Sequence, residues 1–115
     1  LGEALRPLLE ENVLIIGSGF SFHNMSAFSW RPSTALDPAN DDFQDWLIKA
    51  TTHAAYADTR RALLNWAKAP SARYCHPREE HLLPLMVCAG LAQTPAQVLF
   101  HDFILGKRGL AFGWE

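Results

Sequence analysis

The chain of 115 residues has the length of one small domain, and with 49% apolar and 19% charged residues it can bury a core. Its net charge of -2, without a basic run, argues against a nucleic-acid or anionic-membrane surface. No apolar stretch reaches the ~20 residues that cross a bilayer, and none joins a basic flank to an apolar run as secretory signals do.

From the N-terminus, Leu5, Leu8 and Leu9 lie at helical spacing, with Pro7 keeping that helix short. The stretch "NVLIIGSG" predicts a strand buried on both faces, because Val13, Leu14, Ile15 and Ile16 follow one another without alternation. That pattern belongs to parallel sheets covered by helices. Gly17 and Gly19 end it, through positive φ or a close backbone approach. An amphipathic segment running straight from Leu1 into such a strand suggests the later portion of a longer protein.

Pro32, Pro38 and the Asp/Asn clusters of "SAFSWRPSTALDPANDD" predict a surface loop. A helix follows over "DDFQDWLIKATTHA", with Asp41 and Asp42 in capping position and Phe43, Trp46, Leu47 and Ala50 on one stripe. A second covers "YADTRRALLNWAKA", with Ala62, Leu63, Trp66 and Ala69 inward and Pro70 as its stop. A third is expected over "HPREEHLLPLMVCAGLA", opening at Pro77 and closing near Gly90. Pro84 lies inside it, so the helix either kinks after His81 or starts later. "QVLFHDFIL" and "GLAFGW" predict a hairpin joined through "GKRG". The expected fold is α/β, a partly parallel sheet flanked by helices, with residues 1–115 forming one domain portion.

Five histidines and two cysteines hold most of the chemistry. His53 reads as a solvated helix residue, His101 as a strand residue bonded to a neighbour, and His76 as a helix cap or the border of a pocket. Cys88, in an apolar run, reads as an inert core thiol. The low cysteine count fits a reducing, cytoplasmic setting. His23 follows the strand-like run beyond its glycine turn, and the carboxyl end of a strand is where open α/β sheets bind ligands. Its alternative is a tight turn in which His23 and Asn24 satisfy backbone groups. His81 stands beside Glu80 at the mouth of an apolar helix, an imidazole–carboxylate pair suited to metal binding or acid–base work. Its alternative is an exposed capping turn. Ser18 in "GSG" does not satisfy G-x-S-x-G, and the glycines do not satisfy G-x-G-x-x-G.

Taken as a pair, "NVLIIGSGFSFHNM" and "HPREEHLLPLMVCAGLA" resemble the later half of class III extradiol aromatic ring-opening dioxygenases, and among them the 4,5-DOPA dioxygenase type. The residues that carry the resemblance are Gly17, Ser18, His23, Asn24, Pro77, Glu80, His81 and Pro84. It implies the C-terminal part of a non-haem iron(II) enzyme that opens a catechol ring with O₂, with Zn(II) as an alternative metal. It further implies His23 as the acid/base, near the metal in zinc-loaded members, and His81 as a metal ligand with Glu80 as second choice. Ser18 and Asn24 would be substrate contacts. The family's other two metal-binding histidines belong to an earlier half, so a preceding segment or another chain would complete the site, and self-association stays open. The competing functions are a zinc hydrolase on the same scaffold and a non-catalytic interaction module.

Overall fold

The computed structural model describes residues 1–115. A single turn of helix, α1 (Gly2–Leu5), passes into a 3-10 turn at Arg6–Glu11, with Pro7 in its opening positions. There the missing proline N–H leaves nothing unpaired. α1 packs on the last helix, and the Arg6 guanidinium donates to the carbonyls of Leu91 and Ala92 at 2.7 and 3.2 Å. Those carbonyls have no partner within the helix, and a cation also suits the negative end of its dipole.

The core is built on α2 (Pro38–Thr51). Asp37, four residues ahead of the expected cap, accepts the Asn40 N–H at 3.1 Å, and Pro38 occupies the first turn. The same carboxylate accepts from the Tyr74 hydroxyl at 2.7 Å and binds the Lys107 ammonium, so one capping residue ties three parts of the chain together. Phe43, Leu47 and Ala50 point inward as the stripe predicts, and Trp46 packs beside them half-buried. α3 (Tyr56–Leu64) adds Leu63, and a following 3-10 turn at Trp66–Lys68 buries Trp66. α4 (Ala72–Cys75) and α5 (Leu83–Ala92) contribute Ala72, Cys75 and Ala89.

The hairpin is present as β1 (Gln97–Ile104) and β2 (Lys107–Gly113), antiparallel, with His101 opposite Leu110. Its turn is the two residues Leu105 (φ 50) and Gly106 (φ 73), not the expected Gly106–Gly109, since Lys107 already pairs with Ile104. Positive φ at both central residues matches the twist of the flanking strands.

Two expectations need correction, and one alternative left open at Pro84 is decided. The fold mixes helices with strands, but its one sheet is this two-stranded antiparallel hairpin rather than a partly parallel one. The residues Val13–Ile16 form no regular element and join no sheet, and Leu14 and Ile16 are 83% and 79% exposed. A strand exists through its neighbour's N–H and C=O groups, which no other segment of these residues offers here. Lastly, α5 begins at Leu83, with Pro84 in its first turn, and ends at Ala92, with Gln93 left-handed at φ 59. The late start removes the conflict that an interior proline would create, and Gly90 lies within the helix, buried against α1.

Phe43 is fully buried at the centre of the core. Phe43→Ala is expected to cost about 3–5 kcal/mol, read as a lower midpoint in urea unfolding. Lys49→Ala, on the exposed side of the same helix, should change stability by less than about 0.5 kcal/mol.

Candidate active site

The site forms where Gly17–Asn24 runs alongside Cys75–Pro84. Three hydrogen bonds lace the two stretches. Phe20 N–H donates to the His81 carbonyl at 3.0 Å, and His23 N–H donates to the Cys75 carbonyl at 2.8 Å. The third comes from a side chain, His76 Nε2–H to the Ser21 carbonyl at 2.8 Å. The glycines make this approach feasible. A Cβ on Gly19 would collide with the His81 carbonyl, and one on Gly17 would lie 2.7 Å from Cys88 Sγ and 2.9 Å from the Pro84 carbonyl. Of the two reasons the sequence offers for these glycines, close approach is the operative one, since neither has positive φ.

The lacing brings His23 and His81 together. Their rings stack with centroids 3.4 Å apart and planes 11° from parallel. Phe28 lies edge-on to His23 at 6.5 Å and joins an aromatic group with Phe20, Phe22 and Trp30. Burial lowers the His23 pKa, the charge on a protonated His81 lowers it further, and Glu80 opposes both. At neutral pH His23 is therefore an uncharged imidazole, able to accept a proton.

An imidazole binds a cation through a lone pair in the ring plane at roughly 2.0–2.1 Å. Two nearly parallel rings 3.4 Å apart direct their lone pairs into separate planes. A cation in this arrangement takes one ring as ligand and leaves the other beside it. His81, exposed within the turn ahead of α5, suits the ligand position, and half-buried His23 the neighbouring one. No three His, Cys, Asp or Glu residues of the chain gather as a metal-binding group. Within this chain, a divalent cation at the pair would find one imidazole as its ligand.

The remaining candidates take varied places. Glu80 is exposed and pairs with Arg78 at 2.8 Å. Asn24 caps a 3-10 turn, accepting from Ser26 N–H and Oγ–H and donating to the Tyr74 carbonyl at 2.8 Å. Ser18 is exposed on the same irregular run. His53, expected on a helix, is exposed in the loop after α2, and His101 is exposed on β1. Both cysteines are free, with burial raising the Cys88 pKa and pushing Cys75 up to about 12. His76 closes α4, its N–H donating to the Ala72 carbonyl at 2.8 Å, while its side chain caps nothing and is fully buried between Phe43 and Trp66. A histidine held extended before Pro77 was the only hint of this, and it does not specify burial.

A groove of about 510 Å³ opens beside the pair. Val13, Ile15, Leu85, Cys88, Phe112 and Trp114 line it, with His81 on its wall and His23 outside it. One side is the unpaired apolar run, and another is β2.

Residues 1–105 match the family described as the catalytic LigB subunit of aromatic ring-opening dioxygenase, and the chain belongs to that family. It is 37% identical over 99 residues to a 4,5-DOPA dioxygenase extradiol of Beta vulgaris, covering 80% of this chain and 33% of that protein. It is 38% identical over 103 residues to the protein of the same name from Mirabilis jalapa, covering 88% and 37%. It is also 33% identical over 123 residues to the dioxygenase tasH of Hapsidospora irregularis, covering 99% and 38%. The chain therefore spans about a third of the length of these curated relatives. The crystal structure of an uncharacterised protein from Escherichia coli K12 superposes with a TM-score of 0.81 at 22% identity, covering 95% of this chain and 45% of that one, and shares its fold.

Two outcomes test this geometry. Gly19→Ala should push the His81 backbone away and abolish NMR contacts between the His23 and His81 rings. The second concerns His76, whose pKa falls from its ordinary 6.5 to about 4, chiefly through burial. A histidine with a depressed folded-state pKa binds fewer protons folded than unfolded, so its contribution is complete above pH 6.5 and declines as pH falls towards 4. Wild-type protein should lose on the order of 3 kcal/mol more than His76→Gln between pH 7.5 and 4 in urea unfolding.

Proposed function

We propose that this chain is the later portion of the catalytic domain of a non-haem iron(II)-dependent extradiol dioxygenase that opens a catecholic ring. The observation that carries the reading is the His23–His81 stack in a chain of the ring-opening dioxygenase family. Similarity to proteins named for DOPA supports a catechol bearing a polar side chain. In this reading His81 holds the cation, Glu80 is the alternative ligand, and His23 handles protons.

A divalent iron at His81, or zinc in its place, would supply Lewis acidity to both catechol oxygens and open positions for O₂. The chain's own residues do the rest. Neutral His23, stacked beside the ligand ring, accepts a catechol hydroxyl proton and returns it later in the reaction. Phe28 and its neighbours shield one side of His23 from water and offer faces on which an aromatic ring can stack. Ser18 contacts substrate from the exposed run. Asn24 acts chiefly by fixing the turn after His23, since both ends of its amide are engaged.

The remaining metal donors belong to chain beyond these residues, either a preceding segment or a partner subunit. Supporting this, only 22 of 115 residues are buried although 49% are apolar, and Leu14 and Ile16, which line the groove, are largely exposed. A covering segment would bury that surface at about 25 cal/mol per Å². Two free thiols support a cytoplasmic setting, and no helix is long and apolar enough to cross a membrane.

The intact protein, loaded anaerobically with Fe(II) and given DOPA and air, should consume O₂ and form a yellow ring-opened product. His23→Ala should lower kcat by roughly 10²–10⁴-fold, and His81→Ala should weaken iron retention. Unchanged turnover in His23→Ala would refute the acid/base role. The 115-residue chain alone should give no product under the same conditions, and full activity from it would refute the portion reading.

A further inference from the structure

We infer that His76 is a positioning residue for the histidine pair, acting through the Ser21 carbonyl to hold the segment that carries His23. The inference deepens the reading above, and its relevance to catalysis rests on that reading, but its geometry stands without it.

Ser21 is the hub. Its carbonyl accepts both His76 Nε2–H at 2.8 Å and Gln44 Nε2–H at 2.9 Å, and its hydroxyl accepts the Leu110 N–H at 2.9 Å. Gln44 in turn donates to Asn40 Oδ1 at 2.8 Å, and Asn40 donates to the Arg108 carbonyl at 3.0 Å. All four polar side chains (Ser21, Asn40, Gln44 and His76) are buried, beside the apolar core cluster that includes Phe22, Phe43 and Leu47. Ser21 is thus held from α2, from β2 and from the turn before Pro77. His23 lies two residues further on.

The choice of histidine is informative because it leaves one nitrogen without a partner. His76 is 0% exposed, yet Nδ1 makes no hydrogen bond. An unsatisfied buried polar group costs free energy that an apolar side chain of similar size avoids. The compensating gain is the Nε2–H, which reaches a carbonyl in the neighbouring segment. His76 is also adjacent to Cys75, whose carbonyl accepts the His23 N–H at 2.8 Å. Consecutive residues therefore clamp Ser21 and His23, one through its side chain and the other through its backbone. Phe43 and Trp66 pack against the His76 ring, with centroids 5.3 and 6.2 Å away, and fix the direction of the Nε2–H. A depressed pKa keeps the ring neutral, so Nε2 remains the donor and Nδ1 need not carry a proton into a place without an acceptor.

The test reads the ring pair rather than turnover. In the intact protein, metal-free, NOEs between the His23 and His81 rings are followed alongside cross-strand NOEs of the hairpin. His76→Gln retains a donor at the Nε2 position and should keep the inter-ring NOEs. His76→Met removes the donor at similar length and should lose them while the hairpin NOEs persist. Inter-ring NOEs that survive in His76→Met overturn the inference, as does a folded His76→Gln protein that lacks them. Should the methionine variant not fold, the glutamine variant decides by the same criterion. Failure of both to fold overturns the inference too, because His76 is then required for folding as such. A catalytic reading that failed would show instead as inactivity with the ring pair intact.

Discussion

Three hydrogen bonds between Phe20–His23 and Cys75–His81 are the constraint on which the site depends. They join two stretches distant in the chain, and they work only because Gly17 and Gly19 let backbone approach backbone where a side chain would intervene. The stacked imidazoles follow from this lacing. Remove it and His23 sits on an exposed irregular run, with His81 on a solvent-facing turn and nothing to bring them together.

The lacing also explains a division of labour between the two rings. Stacked aromatic faces give close contact without convergent lone pairs, so the pair is poorly shaped as a bidentate clamp. In the proposed reading one ring serves as ligand and the other, beside it, as the proton-transfer group. Burial acts on the second member, lowering the His23 pKa, so that an accepting imidazole stands next to a position where a cation would acidify a bound hydroxyl. Neither property needs an unusual residue. Both come from how the core packs beneath the pair, through Phe22, Leu82 and the buried His76.

What the sequence discloses follows from how local each signal is. The stripe Phe43–Leu47–Ala50 and the two apolar runs of the hairpin are local patterns, and they predict α2 and the β1–β2 pair. Resemblance supplied His23 and His81 as a pair, which spacing alone could not do. Val13–Ile16 misleads because pattern records what a segment wants to bury, whereas a strand also needs a partner; the partner is not among these residues. Sequence leaves the start of α5 open between a kink and a later start, and the structure takes the later one, with Pro84 in the first turn. The burial of His76 is not legible in sequence, since it depends on Phe43, Trp66 and Ser21, contributed by three separate elements.

The central claim is that this chain offers one imidazole to a cation and sets a second beside it. A crystal structure of the intact protein grown with Fe(II) under anaerobic conditions, with anomalous data at the iron edge, tests this most directly. The expected result is an iron peak bonded to a nitrogen of His81, completed by donors outside these 115 residues, with the His23 ring adjacent and unbound. Iron held by neither ring, or the two rings far apart around it, would contradict the account.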